Sequence, residues 1–217
     1  MKASHRSILI WTAIIGGIIL LLFILARAGT NQNTNPEETN TISLSQSVTA
    51  QDHKKGAQNA AFTLVEYSDF ECPACATRTP LLEKLLTDFP ENVQIIYRHF
   101  PLTSIHKNAI LAAQATEAAA LQGKFWEMHD VLFNTQQTWS PQEDPQEFFT
   151  KLANSIGLNT EQFTTDITSK VAEDAVKADV KEAEKMNLPG TPSFFLNGQK
   201  ISFNSYEQLA ELITKNE

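Results

Sequence analysis

"EYSDFECPACATRTPLLEKL", residues 66–85, holds both cysteines of the chain, Cys72 and Cys75, at the junction of two unlike patterns. Just upstream, "FTLVEYSDF" (62–70) is rich in β-branched and aromatic residues and reads as a buried strand. Downstream, Pro73 sits where the first turn of a helix tolerates proline. Leu81, Leu82, Leu85, Leu86 and Phe89 then recur as one apolar face, and Pro90 stops the helix. Pro80 interrupts that helix and is expected to kink it. "NVQIIYRHF" (92–100) is a second strand. Strand, helix and strand in so short a span predict a βαβ unit with a parallel pair.

The following segments are helical. "HKNAILAAQATEAAALQGKFWEMHDVLFN" (106–134) is rich in Ala and Leu with a break at Gly123. "PQEFFTKLANSIG" (145–157) has Asp144 as N-cap candidate and Gly157 as its end. "TSKVAEDAVKADVKEAEKMN" (168–187) alternates charges at helical spacing, as a solvated face does. "GTPSFFLNGQKISF" (190–203) reads as a hairpin turning at Asn197-Gly198, and "SYEQLAELITKN" (205–216) as an amphipathic helix opened by Ser205. The order predicts an α/β sheet with a helical subdomain inserted at about 104–188.

The N-terminus differs. Ser7 to Ala26 carry no charge and are mostly aliphatic. A helix of that length spans roughly 30 Å, the thickness of a bilayer's hydrocarbon core. Lys2 and Arg6 precede it, Arg27 follows, and the next charges are Glu37 and Glu38. The bias puts the N-terminus in the cytoplasm and the rest outside, in the cell membrane by a single pass. Ala26-Arg27-Ala28 would permit signal cleavage before Gly29, but the apolar run exceeds a signal peptide's. Residues 1–28 are thus expected to be a cytoplasmic stub and transmembrane anchor, 29–59 a flexible polar linker, and 60–217 one domain. With 25 acidic against 17 basic residues, net charge −8, and no Lys/Arg cluster, nucleic acid is not an expected partner.

Two cysteines two residues apart can be a redox couple, part of a metal site, or inert core residues. The spacing lets the sulfurs meet across one helical turn. Cys72, at the helix N-terminus, faces unpaired N–H groups that stabilise a thiolate. It is the expected nucleophile, with Cys75 one turn inside as the resolving thiol. A structural zinc site needs four N or S ligands, and no second C-x-x-C exists. None of His5, His53, His99, His106 and His129 stands at ligand spacing from the pair, so no metal is expected there. Haem attachment would need a histidine where Ala76 stands. Two thiolates could hold copper, but that leaves the fold pattern unexplained.

Several segments together resemble the DsbA-like branch of the thioredoxin superfamily: "LVEYSDFECPACA", "IIYRHFPL" followed by "HKNA", "QGKFWEMHDVLF", "IGL" and "GTPSFFLNG". The resemblance covers about residues 52–215 and implies a thioredoxin-like sheet with an inserted helical subdomain. It implies that Glu66 is a buried proton acceptor for Cys75. It also implies that Thr191-Pro192 is a cis-proline loop, leaving backbone at Thr191 to pair with an extended substrate segment. The dipeptide between the cysteines is Pro73-Ala74. Strong oxidants of the family often carry Pro-His, so Ala74 removes an imidazole's help to the thiolate. Phe125 and Trp126 read as core. His99 and His106 fall on a loop after a strand, where capping or solvation is the plainer reading.

The expected function is an extracytoplasmic dithiol oxidase acting on exported proteins with free thiols, with a membrane quinone-linked partner to reoxidise it and no cofactor. The same site could run in reverse as a reductase or isomerase. A tethered peptide-binding or chaperone-like module, with incidental thiols, is the reading from another class.

Overall fold

A computed structural model describes Gly17 and residues 42–215. Among the described residues there are five strands: β1 (His53–Gly56), β2 (Phe62–Ser68), β3 (Val93–His99), β4 (Ser193–Leu196) and β5 (Gln199–Ile201). They form one mixed sheet in the order β1-β3-β2-β4-β5. β2 and β3 are parallel, and the other pairs are antiparallel. Between β2 and β3 runs α1 (Pro73–Asp88), the crossover helix. Pro80 lies inside α1 without ending it, and Phe89 closes it by donating its N–H to the Leu85 carbonyl.

Six helices fill the gap between β3 and β4: α2 (Ala109–Ala120), α3 (Phe125–Asn134), α4 (Gln136–Trp139), α5 (Gln146–Ser155), α6 (Thr160–Asp166) and α7 (Lys170–Lys185). The final helix, α8 (Tyr206–Thr214), follows β5. Glycines and caps set these boundaries. Gly123 and Gly157 take positive φ after α2 and α5, where other residues are strained. Ser169 and Ser205 accept N–H bonds from Ala172 and Gln208 at the starts of α7 and α8. The N-cap of α5 is Pro145, not Asp144 as the sequence suggested; Asp144, one residue further out, accepts the Gln146 N–H through Oδ1.

The sheet is buried on both faces, which is why β2 and β3 read as nearly continuous apolar runs. Phe62, Leu64, Val93 and Ile95 pack with Leu82 and Leu85 of α1 and Leu209 and Ile213 of α8. Val65, Tyr67, Ile96 and Phe195 pack with Ala183 and Met186 around the end of α7. A third cluster joins Phe70 and Tyr97 to the inserted helices through Phe125, Met128, Leu132 and Phe133. Phe125 is core, as its spacing suggests. Trp126 is half-buried and donates its indole N–H to the Lys54 carbonyl.

The expected linker 29–59 is corrected at its C-terminal end. β1 pairs with β3 from His53 opposite Tyr97 to Gly56 opposite Gln94. Further upstream, the Leu44 N–H reaches the Gly198 carbonyl, and the Lys200 N–H reaches the Ile42 carbonyl. The strand escaped notice because "HKKG" has no β-branched or aromatic residue; its pairing comes from β3. Arg98 fixes the same segment through Asp52 (2.7 Å) and the Gln46 and Ser47 carbonyls, and ties it to Glu182 and Tyr67 Oη. The expected anchor 1–28 and residues 29–41 lie outside the described residues, apart from Gly17. No helix among the described residues is long and apolar enough to cross a membrane.

Candidate active site

Cys72 occupies the N-cap seat of α1 in an extended conformation, followed by Pro73 at the first helical position. A serine or aspartate there would accept the free N–H groups of the first turn. Here a thiol holds that seat, and it makes no side-chain capping hydrogen bond to the helix. The Cys72 thiol is pulled down to about 5, first by the Cys75 thiol, against the cost of burial, and further by the Cys75 and Ala74 N–H groups and Thr191. Cys75 is fully buried, and burial raises its pKa well above the ordinary thiol range, helped by the nearby Cys72 and Glu66. One thiol is thus a thiolate at neutral pH and the other remains protonated. Both are free thiols in this state. Pro73 and Ala74 are exposed, so the dipeptide between the cysteines presents an uncharged, apolar surface.

Behind Cys75 sits Glu66, 2% exposed on the middle strand β2, opposite Tyr97 of β3 and Phe194 of β4. Burial lifts its carboxyl to about 7, despite the hydroxyl of Ser68 donating to Oε1 at 2.8 Å. Ser68 lies two residues on and shares that face of the strand. It also stands beside Cys75, easing the rise of that thiol. Glu66, Ser68 and Cys75 therefore form a buried polar line in an otherwise apolar core.

The Thr191-Pro192 bond is cis. It brings the Thr191 carbonyl to 3.6 Å from Cys72 Sγ, which donates to it. The Thr191 hydroxyl is buried with no hydrogen-bond partner among the described residues. Beside it opens a cleft of about 400 Å³, lined by Thr191, Pro192, Phe194, Phe203, Arg78 and Lys200 among others. All seven residues singled out in sequence (Cys72, Pro73, Ala74, Cys75, Glu66, Thr191 and Pro192) thus lie in or beside one site.

The histidines fall differently. His99 is the last residue of β3, not part of a loop, and its Nε2 lies 2.8 Å from Glu117. His106 Nδ1 lies 2.7 Å from Asp69 Oδ2. Sequence reading passed over Asp69, yet it organises the turn before Cys72. Its carbonyl accepts the Cys72 N–H, and its carboxylate accepts the N–H groups of Glu71 and Leu102. Gln136 was also passed over; its amide donates to the carbonyls of Phe70 and Cys72 at 2.8 and 2.9 Å. Asp69 could have been suspected from its place at a strand end before a turn. Gln136 left no signal, since it is 64 residues from Cys72.

Comparison with known proteins agrees with this geometry. A family model described as Thioredoxin matches residues 48–215. The crystal structure of oxidised BdbD from Bacillus subtilis superposes with a TM-score of 0.67 at 26% identity, covering 76% of this chain and 91% of that one. α-DsbA1 from Wolbachia pipientis superposes with a TM-score of 0.68 at 19% identity, covering 77% and 92%. Among sequence relatives, a protein named Na(+)/H(+) antiporter NhaA 3, from Salinispora tropica, is 38% identical over 149 residues. That match takes in 69% of this chain and 22% of the antiporter, so the chain spans about a fifth of that relative's length.

Proposed function

The chain belongs to the thioredoxin family, in its DsbA-like thiol–disulfide oxidoreductase branch, and on that premise we propose that it introduces disulfides into exported proteins. The observation that carries the direction is the unequal pair: a Cys72 thiol at about 5 against a Cys75 thiol raised by burial. A stabilised thiolate favours the reduced pair over the disulfide, which makes the disulfide a better oxidant. For a thiol at about 5 where about 9 is ordinary, the gain is about 60 mV at pH 7.

In the oxidised form a substrate thiolate attacks Cys72 Sγ, the Cys72–Cys75 bond breaks, and Cys75 leaves as a thiolate. The Glu66 carboxyl, protonated in a good fraction of molecules near pH 7, returns a proton to it, directly or through Ser68. A second substrate thiolate then attacks the substrate sulfur of the mixed disulfide. Cys72 leaves as the stabilised thiolate, and the substrate carries the new disulfide. The two electrons now on the enzyme pass to a membrane quinone-linked reoxidase. The cleft beside Thr191 and Pro192 suits an extended substrate segment, paired through backbone at Thr191. An N-terminal membrane anchor would hold the domain outside the cytoplasm.

The test is the reduction potential of the Cys72–Cys75 couple against glutathione. A value near about −120 mV supports the oxidase, and one near about −270 mV means a reductant and overturns the direction. A Cys72→Ser variant that still oxidises reduced peptides would remove the chemistry altogether.

A further inference from the structure

His53, His99 and Glu117 come from three rigid elements and converge on one point. β1 pairs with β3 so that His53 lies opposite Tyr97. His99, two residues beyond Tyr97, therefore shares its face of the sheet. α2 supplies Glu117. The Nε2 atoms of His53 and His99 lie 2.7 and 2.8 Å from the same oxygen, Glu117 Oε1. One ligand atom from each residue falls within 4.8 Å of the others. The His53 ring is stacked on Phe125 with centroids 3.6 Å apart, and His99 packs edge-on against Tyr97, so neither imidazole is loosely held.

As a purely structural network this cluster is poorly matched. One carboxylate oxygen serves two rings, while His99 Nδ1 is buried with no partner among the described residues. Buried polar groups normally have at least one hydrogen-bond partner, and a carboxylate oxygen can accept two, so the unmatched group here is His99 Nδ1. The surroundings are also short of positive charge. The adjoining cleft of about 420 Å³ is lined by Asp52, Glu117, Asp179 and Glu182 against a single guanidinium, Arg98. Arg98 is already committed to Asp52 and Glu182.

We propose that His53, His99 and Glu117 form a binding site for one divalent transition metal of the zinc class, separate from the dithiol. Two imidazoles and one carboxylate suit zinc, cobalt or a similar ion, whereas calcium and magnesium prefer oxygen alone. Ligand atoms around tetrahedral zinc stand about 3.3–3.5 Å apart, so the two histidine–glutamate distances of 2.7 and 2.8 Å need to open by less than about 1 Å. His53 and Glu117 line the cleft, which leaves a coordination position for water. The ion would tie the first strand to the inserted helices and neutralise Glu117.

The experiment uses the full chain without a histidine tag, in mild detergent, with Cys72 and Cys75 oxidised so that the thiols cannot take up metal. Co²⁺ is titrated and followed by its visible absorption, and Zn²⁺ by the melting temperature. The expected result is one equivalent of Co²⁺ with the spectrum of nitrogen and oxygen ligation. With Zn²⁺ at a hundredfold excess over Kd, a rise in Tm of about 5–10 °C is expected. His53→Gln, at the rim, and Glu117→Gln should each weaken binding by at least roughly tenfold. Should either variant misfold, Zn²⁺-dependent shifts of the ring nitrogens of His53 and His99 in the unaltered chain, read by NMR, decide the same point. Absence of saturable binding, unchanged affinity in folded variants, or ring shifts at other histidines alone would overturn the proposal.

Discussion

The thiol of Cys72 donates to the carbonyl oxygen of Thr191 across 3.6 Å, joining the start of α1 to the loop that leads into β4. When Cys72 ionises, that donor is lost, and the carbonyl becomes a poor neighbour for a negative sulfur. The Thr191 hydroxyl is the group placed to take over. It is buried, unpaired, and among the groups that hold the thiolate down. Thr191→Val keeps the shape and removes the donor. The Cys72 pKa should rise by about 0.5–1 unit and the potential at pH 7 fall by about 15–30 mV. Thiolate absorbance against pH checks the first and glutathione equilibration the second. An unchanged titration would mean that the hydroxyl plays no part.

The two thiols predict how the potential depends on pH. With Cys72 near 5 and Cys75 well above the ordinary range, reduction takes up two protons below pH 5 and one above it. The potential should fall by about 59 mV per pH unit below that point and about 30 mV per unit above it. The stability of the reduced form runs the other way and rises with pH. Because the folded pKa is depressed, the contribution is full above the ordinary thiol pKa and lost as pH falls through 5. Denaturant melts of the reduced and oxidised forms from pH 4 to 9 should show the reduced form losing ground as pH drops.

Glu66 sets function against stability. Its folded pKa of about 7 lies above the ordinary carboxyl value, so its contribution is unpenalised below about pH 4.5 and costs stability as pH rises through 7. Glu66→Gln removes the charge but keeps an acceptor for Ser68. The variant should gain up to about 3 kcal/mol at pH 8 and little at pH 4, read from urea melts at both pH values. Its oxidation of a reduced peptide should slow by about 10–100-fold near pH 7, since Cys75 loses its proton partner. A variant that gained stability while keeping full rate would show that water, not Glu66, handles the proton.

How far these features could be read in the sequence follows from what each depends on. The βαβ unit, the α2–α7 insertion and the β4–β5 hairpin are written in periodicity, caps and the Asn197-Gly198 turn, all local. The dithiol was visible because Cys72 and Cys75 share one helical turn. Glu66 and Thr191-Pro192 took the resemblance to place them, since their meeting with the cysteines is tertiary. β1 was hidden because its pairing partner dictates it, not its own residues. The His53, His99 and Glu117 cluster joins positions up to 64 residues apart, and neither histidine has a patterned neighbour. The resemblance gave no reason to look there.

Gln136 tests whether such a hidden residue shapes the chemistry or only the scaffold. Its amide reaches the Phe70 and Cys72 carbonyls, on the far side of the peptide from the sulfur. Gln136→Leu would leave two buried carbonyls without these donors, at about 1–3 kcal/mol each. The loss is common to the reduced and oxidised forms, because neither carbonyl changes charge with redox state. Urea melts should therefore show both forms destabilised by about 2–6 kcal/mol, with a potential within about 15 mV of the parent. A larger shift in potential would mean that the turn from Asp69 to Cys72 moves when Gln136 is lost, and that the N–H groups facing the thiolate move with it.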